Sequence, residues 1–431
     1  MDKSKDETRT LIEGMPIFDT HEHFLPPEFI AAGNNRLIRI FRNSYVALDC
    51  VAAGLDRNYL TPASVVLDNT SLAKANDIDL DEWDVILPYL ERTRFTSYYS
   101  SFKLGMEKLY HFTDKFTSAN LKSLGTSVDT AYDGENWFET AMDKLGIQKI
   151  LWDPYFSIHD AKVWSRRIIP FYNVDEFLYN PFLHPQGGLS AAGIAQAWDL
   201  EMETLDDLIC LIDAGFERYR KLGAGGVKIA IAYRRTLSFE PTTIQEADAA
   251  FKDMQTGVNK THSLALGNYL VRHVLARCRD YGYPIQFHTG MNYGHLEWTN
   301  PIHIVNLIQE FPEVKFVLFH GGYPYLDEIG LMGKSFCNVF LDLCWVPLLS
   351  ESMAIGALAR WLDLVPYTKF TWGGDVATVE ECAGSATLFR NILSEVLANK
   401  LNAGAIMRSD AIDIASHIMY QNAGELYNIP D

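Results

Sequence analysis

From about residue 147 onward, hydrophobic positions alternate between two patterns. Short apolar runs of strand length, ending in polar residues, are each followed by a longer stretch with helical spacing. The runs are IQKILWD (147–153), IIPFYNV (168–174), GVKIAIAY (226–233), YPIQFHTG (283–290), VKFVLFHGG (314–322), NVFLDLCW (338–345) and KFTWGGD (369–375). Between them, residues 204–223 predict a helix with Thr204 as N-cap and Leu205, Leu208, Ile209, Ile212, Phe216 and Tyr219 on its apolar face. Residues 262–280, 300–311, about 325–335 and 353–365 read as further helices, and helices close the chain. One more run, MPIFDTHEHF (15–24), stands near the front and brings the count to eight.

Strands that alternate with helices form a parallel sheet with crossover helices. Eight such units predict an α/β fold, a (β/α)8 TIM barrel, which needs only about 250 residues. The surplus of this 431-residue chain lies mainly between strands 1 and 2. We read residues 1–14 as an N-terminal extension and 15–431 as one barrel. Residues 25–146, aromatic-rich and helical in pattern, are then an insertion over the C-terminal mouth of the barrel. No Pro/Gly/Ser-rich linker, internal repeat or low-complexity stretch interrupts this plan.

Charge and composition remove several function classes. The formal net charge is −18, whereas nucleic acid and anionic membranes require a basic surface. No apolar stretch approaches the length of a membrane span, and the polar N-terminus lacks the apolar core of a secretory signal. The six cysteines show no CxxC pairing. Reduced thiols and a cytoplasmic location are therefore expected, with a small molecule as partner. Assembly into a homo-oligomer is compatible with the sequence.

The candidate chemistry lies at the strand ends. His21 and His23 flank one glutamate at the end of strand 1, and residues two apart on a strand share a face. Strand 4 carries Lys228; strands 5, 6 and 8 end in His288, His320 and Asp375. Each alone has an ordinary structural reading: a core histidine, a helix cap, a lysine reaching out of an apolar wall. A barrel, however, brings all six to one rim, where barrel enzymes place their chemistry. Imidazole and carboxylate donors suit Zn²⁺, and also Mn²⁺ or Fe²⁺, at one or two ions per chain.

With HxH on strand 1, Lys on strand 4, His on strands 5 and 6 and Asp on strand 8, the chain resembles the amidohydrolase superfamily. GVKIAIAYR, PIQFHTG with NPIHI, HGGYPYLDE, VFLDL and NAGELYNI resemble, more narrowly, the amidohydrolase-like domain of nodulin/FluG-type proteins. The helical segment after HxH is similar, more distantly, to uronate isomerases. That family lacks the strand-4 lysine and the strand-6 histidine, so Lys228 and His320 point away from an isomerase.

The resemblance implies that His21, His23 and Asp375 hold one metal and His288 and His320 another. Lys228 would bridge them as a carbamate; a one-metal site with unmodified Lys228 is the alternative. A hydroxide bridging the metals would attack a carbonyl, and Asp375 would act as general base and then acid. Arg234, six residues after Lys228 as in the resembled family, would clamp a substrate carboxylate. Arg235 would be a loop charge. Tyr233, Asn292, Trp298 and Tyr323 would line the substrate site, with His295 beyond the strand end. The expected activity is hydrolysis of an amide-type C–N bond in a small carboxylate-bearing substrate. A metal-dependent lyase (decarboxylase) or a uronate-isomerase-like enzyme is the alternative, and a non-catalytic scaffold is a third.

Overall fold

The structure is a computed structural model that describes residues 3–25, 27–31, 35–59, 82–154, 160–183, 189–258, 263–291 and 294–430. Its eight strands are β1 (Ile17–Glu22), β2 (Ile147–Trp152), β3 (Ile168–Asn173), β4 (Gly226–Ile229), β5 (Ile285–Phe287), β6 (Phe316–Leu318), β7 (Val339–Asp342) and β8 (Phe370–Thr371). They form one sheet in the order β1 to β8, with the pairs from β3 to β8 all parallel. The fold is a (β/α)8 TIM barrel, as the sequence pattern predicts. Strands buried on both faces read as near-continuous apolar runs rather than alternating ones. In β4, β5 and β6 every residue is buried.

Two compact units make up the chain. The first comprises residues 1–150, 345–359 and 373–419; the second comprises 151–344, 360–372 and 420–431.

The first unit contains β1, whose Ile17 N–H donates to Gly146 O at 2.9 Å. The expected extension is a helix, Lys3–Glu13, with Thr8 and Ile12 buried. Six longer helices fill most of the described part of 25–146: Arg36–Arg42, Tyr45–Ala52, Glu82–Arg92, Ser97–Tyr110, Ser118–Asp133 and Trp137–Leu145. They enclose their own core of Phe41, Phe102, Met106, Leu121, Leu124 and Val128. Ser97–Tyr110 packs on the long helix Val379–Asn402 with glycine at the contact on both sides. A Cβ on Gly105 would lie 2.0 Å from Glu380 O, and one on Gly384 would lie 2.0 Å from Ser101 O.

The second unit holds β3 to β8. The helix Leu205–Lys221 starts on the expected cap: Asp207 N–H donates to Thr204 Oγ1 at 3.2 Å, and Thr204 N–H to Asp207 Oδ2 at 2.9 Å. Its buried arc takes in Leu211, whereas Ile209 is only half-buried. At 100° per residue Ile209 falls just past the edge of that arc. Strand 4 stops sooner than its apolar run suggests. The Ala230 N–H donates to Asp175 Oδ1 at 2.9 Å, and the chain turns into a 3-10 helix, Ile231–Tyr233. The expected helix over 300–311 is a 3-10 turn, Pro301–Ile304, capped by Asn300 and followed by an α-helix, Val305–Glu310. The helix Ile244–Gln255 has no counterpart in the sequence reading, although Thr243 and Glu246 form its capping box.

The six cysteines are free thiols, as expected. Among the described residues no helix is long and apolar enough to cross a membrane.

Candidate metal centre

In the first unit, β1 delivers two imidazoles to one point. His21 Nε2 lies 3.1 Å from His23 Nε2, with the rings edge to face. Asp375 Oδ1 lies 3.6 Å from the first of these atoms and 3.3 Å from the second. Donors about 2.0–2.1 Å from a shared cation are about 2.9–3.4 Å apart at angles between octahedral and tetrahedral. Two sides of the triangle fall in that range and the third, His21 to Asp375 at 3.6 Å, is slightly wider, so the three atoms approach the size of three corners of one coordination shell. Its chemistry, two imidazoles and a carboxylate, fits a divalent cation of the zinc type.

The loop that supplies Asp375 is pinned to β1. Gly374 N–H donates to Asp19 Oδ1 (3.1 Å), Asp375 N–H to His21 O (2.9 Å) and Val376 N–H to Glu22 Oε2 (2.7 Å). A Cβ on Gly373 would meet the backbone N of His21 at 2.6 Å, and one on Gly374 would meet the buried Glu22 Oε1 at 2.2 Å, so the glycine pair permits this close approach. Asp19, Glu22 and Cys382 are fully buried together. Burial, and then the charge of Asp19, push the Glu22 carboxyl well above the usual carboxylate range.

In the second unit His288 and His320 follow β5 and β6. His320 Nε2 lies 2.8 Å from His288 Nδ1. The other nitrogen of each ring faces a backbone carbonyl: His288 Nε2 reaches Met291 O and His320 Nδ1 reaches Cys344 O, both at 3.2 Å. Carbonyl oxygens only accept, so those outer nitrogens carry the protons. In neutral rings the two facing nitrogens then both present lone pairs. That arrangement is repulsive unless a positive centre lies between them, and a carbonyl holding the outer N–H is the usual support of a metal-binding histidine. Lys228, buried on β4, places Nζ 3.9 Å from the centre of the Phe319 ring, next to His320.

The expected substrate residues are distributed less evenly. Tyr233 is about half exposed, with its ring 4.3 Å from that of His288. Arg234 donates to Glu176 Oε1 at 3.0 Å, both side chains being buried. Arg235 is engaged elsewhere, by Ser238 O, Thr236 O, Leu264 O and Asn268 Oδ1, at 2.7–3.3 Å. Burial lowers its pKa to about 10. Trp298 is half-buried and stacks on the exposed His295 at 3.7 Å. Tyr323, half-buried, accepts the Met291 N–H on its carbonyl. Asn292 lies outside the described residues.

Two groups escaped the sequence reading. Asp175 and Glu176, just after β3, meet the Ala230 N–H and Arg234 respectively. Tyr45, in the insertion, donates its hydroxyl to Asp375 O at 2.8 Å. The adjacent carboxylates of VDEF after a strand carried a signal; nothing local marked Tyr45.

Residues 234–429 match the Amidohydrolase family, a span that includes His288, His320 and Asp375. Protein fluG of Emericella nidulans is 30% identical over 220 residues, 47% of this chain and 25% of its own. Over residues 234–429, a little under half of its length, the chain is similar to the amidohydrolases. It matches only a quarter of the length of that curated relative. Among solved structures, the uronate isomerase of Thermotoga maritima superposes with a TM-score of 0.80 at 14% identity, covering 99% of this chain and 98% of the isomerase. A glucuronate isomerase of Caulobacter crescentus gives 0.76 at 13% (99% and 94% covered). A proposed metal-dependent hydrolase of Lactobacillus casei gives 0.67 at 19% (97% of each chain). At these identities the structures show a shared fold and no more.

Proposed function

We propose that this chain is a member of the amidohydrolase superfamily and a metal-dependent hydrolase that cleaves an amide-type C–N bond in a small carboxylate-bearing substrate. The observation that carries the reading is the His21–His23–Asp375 triangle, close to the size that one divalent cation requires. His288 and His320, with Lys228, are proposed as the seat of a second, and Lys228 as a residue that takes up CO₂ as a carbamate. Zinc is the cation that the donor set fits best, with Mn²⁺ or Fe²⁺ also accommodated. A bound divalent cation supplies Lewis acidity toward a carbonyl and lowers the pKa of water.

The remaining roles fall to side chains. Asp375 accepts the proton of the attacking water and hands it to the leaving nitrogen. The carbonyls of Met291 and Cys344 fix which nitrogen of His288 and of His320 is the donor. Arg234, oriented by Glu176, contacts the substrate carboxylate. Tyr233, beside His288, lines the substrate site with Asn292, Trp298 and Tyr323.

The test is a zinc-loaded assay against γ-glutamyl and N-acyl amino acids, lactones and uronates. Release of an amine from the amides is expected. Isomerisation of a uronate or loss of CO₂ from an acid, with the amides untouched, would replace this reading by the isomerase or lyase.

A further inference from the structure

Asp375 sits in a left-handed backbone conformation, φ +58°. A residue with a Cβ adopts it against steric resistance and needs support from its surroundings. Its N–H is held by His21 O, and the N–H groups on either side by Asp19 and Glu22. Its carbonyl is held from a different part of the chain, by the hydroxyl of Tyr45, 330 positions away.

Tyr45 is itself fixed on three sides. Its ring lies between Tyr98, stacked at 5.0 Å, and Trp345, stacked at 5.3 Å. As the first residue of the helix Tyr45–Ala52, it has an N–H that no helical carbonyl can accept. Glu381 Oε1 accepts it at 2.6 Å. Glu381 is buried at the start of the helix Val379–Asn402, just beyond the Asp375 loop. The hydroxyl thus approaches Asp375 O from a ring with little freedom to turn.

We propose that Tyr45 is a positioning residue for Asp375, with Glu22 as its counterpart from β1: together they set where the carboxylate stands in the triangle with His21 and His23. The helical segment after β1 then has a part in building the metal seat. This rests on the reading of that triangle as a cation site.

The test uses the full chain, zinc as probe, and two substitutions that remove little. Tyr45→Phe keeps the stack and the N–H to Glu381 and deletes only the hydroxyl. Glu22→Gln keeps an acceptor for Val376 N–H, whereas Glu22→Ala does not. Zinc affinity is measured by chelator competition, the cobalt(II) absorption spectrum reports ligand geometry, and the thermal midpoint is taken without metal. Tyr45→Phe and Glu22→Ala should weaken zinc binding roughly 10-fold or more, the range for residues that support a ligand. They should also alter the cobalt spectrum, with Glu22→Gln close to wild type in both. If Tyr45→Phe binds zinc as wild type does, the proposal is overturned, whether or not the metal-free midpoint falls. If wild type and His21→Ala take up zinc equally, the reading of the triangle fails, and this proposal with it.

Discussion

His288 Nδ1 and His320 Nε2 lie 2.8 Å apart, and each ring gives its other nitrogen to a backbone carbonyl. When both imidazoles are neutral, rings so anchored turn lone pair toward lone pair. A cation between them relieves the repulsion, so these rings should depend on it. We predict that His288→Ala or His320→Ala lowers bound zinc by one equivalent while the His21–His23–Asp375 seat keeps its own. Elemental analysis after dialysis checks this; unchanged stoichiometry in both variants would count against the second seat.

Adjacent arginines should behave differently. Arg235 is about 1% exposed and donates to three carbonyls and Asn268. Removing it orphans those acceptors, at about 2–4 kcal/mol. Arg235→Ala should therefore lower the denaturant midpoint. Arg234→Ala should mainly lower kcat/KM on a carboxylate substrate, by about two orders of magnitude. A silent Arg234→Ala beside a stable but inactive Arg235→Ala would reverse the assignment.

Asp175 should make stability fall as pH rises. Burial raises its carboxyl to about 7, with the Arg234 charge only partly opposing that. Between the ordinary value near 3.8 and about 7, the folded state keeps a proton that the unfolded state has lost. Stability from this group is full below pH 3.8 and is lost toward pH 7, up to roughly 4 kcal/mol. Asp175→Asn cannot titrate, so its stability should decline less over that window in urea titrations. A steeper decline in the variant would contradict the argument.

All eight strands were legible because a strand buried on both faces leaves a short, uninterrupted apolar run, and HxH marks its own geometry at period two. His288, His320 and Asp375 were legible because each sits within four residues of such a run. Tyr45 and Glu176 were not, since their partners, Asp375 and Arg234, lie 330 and 58 positions away. The end of β4 was misplaced for a related reason. Ala230 and Tyr233 continue an apolar run, yet a carboxylate from the β3 turn takes the N–H that a longer strand would need.

Helix packing in the first unit gives a prediction independent of chemistry. Gly105 and Gly384 let Ser97–Tyr110 and Val379–Asn402 meet backbone to backbone. Gly105→Ala or Gly384→Ala would drive a Cβ to 2.0 Å from a carbonyl oxygen. Either should destabilise by about 1–3 kcal/mol or more, despite the higher helix propensity of alanine. Thermal melts check this, and a raised midpoint would show that the helices do not meet there.

Anomalous diffraction at the zinc edge, on crystals of the zinc-loaded protein, tests the central claim most directly. The account predicts a peak about 2.0–2.2 Å from His21 Nε2, His23 Nε2 and an Asp375 oxygen. No peak at those three atoms, in protein that carries zinc elsewhere or not at all, would contradict it.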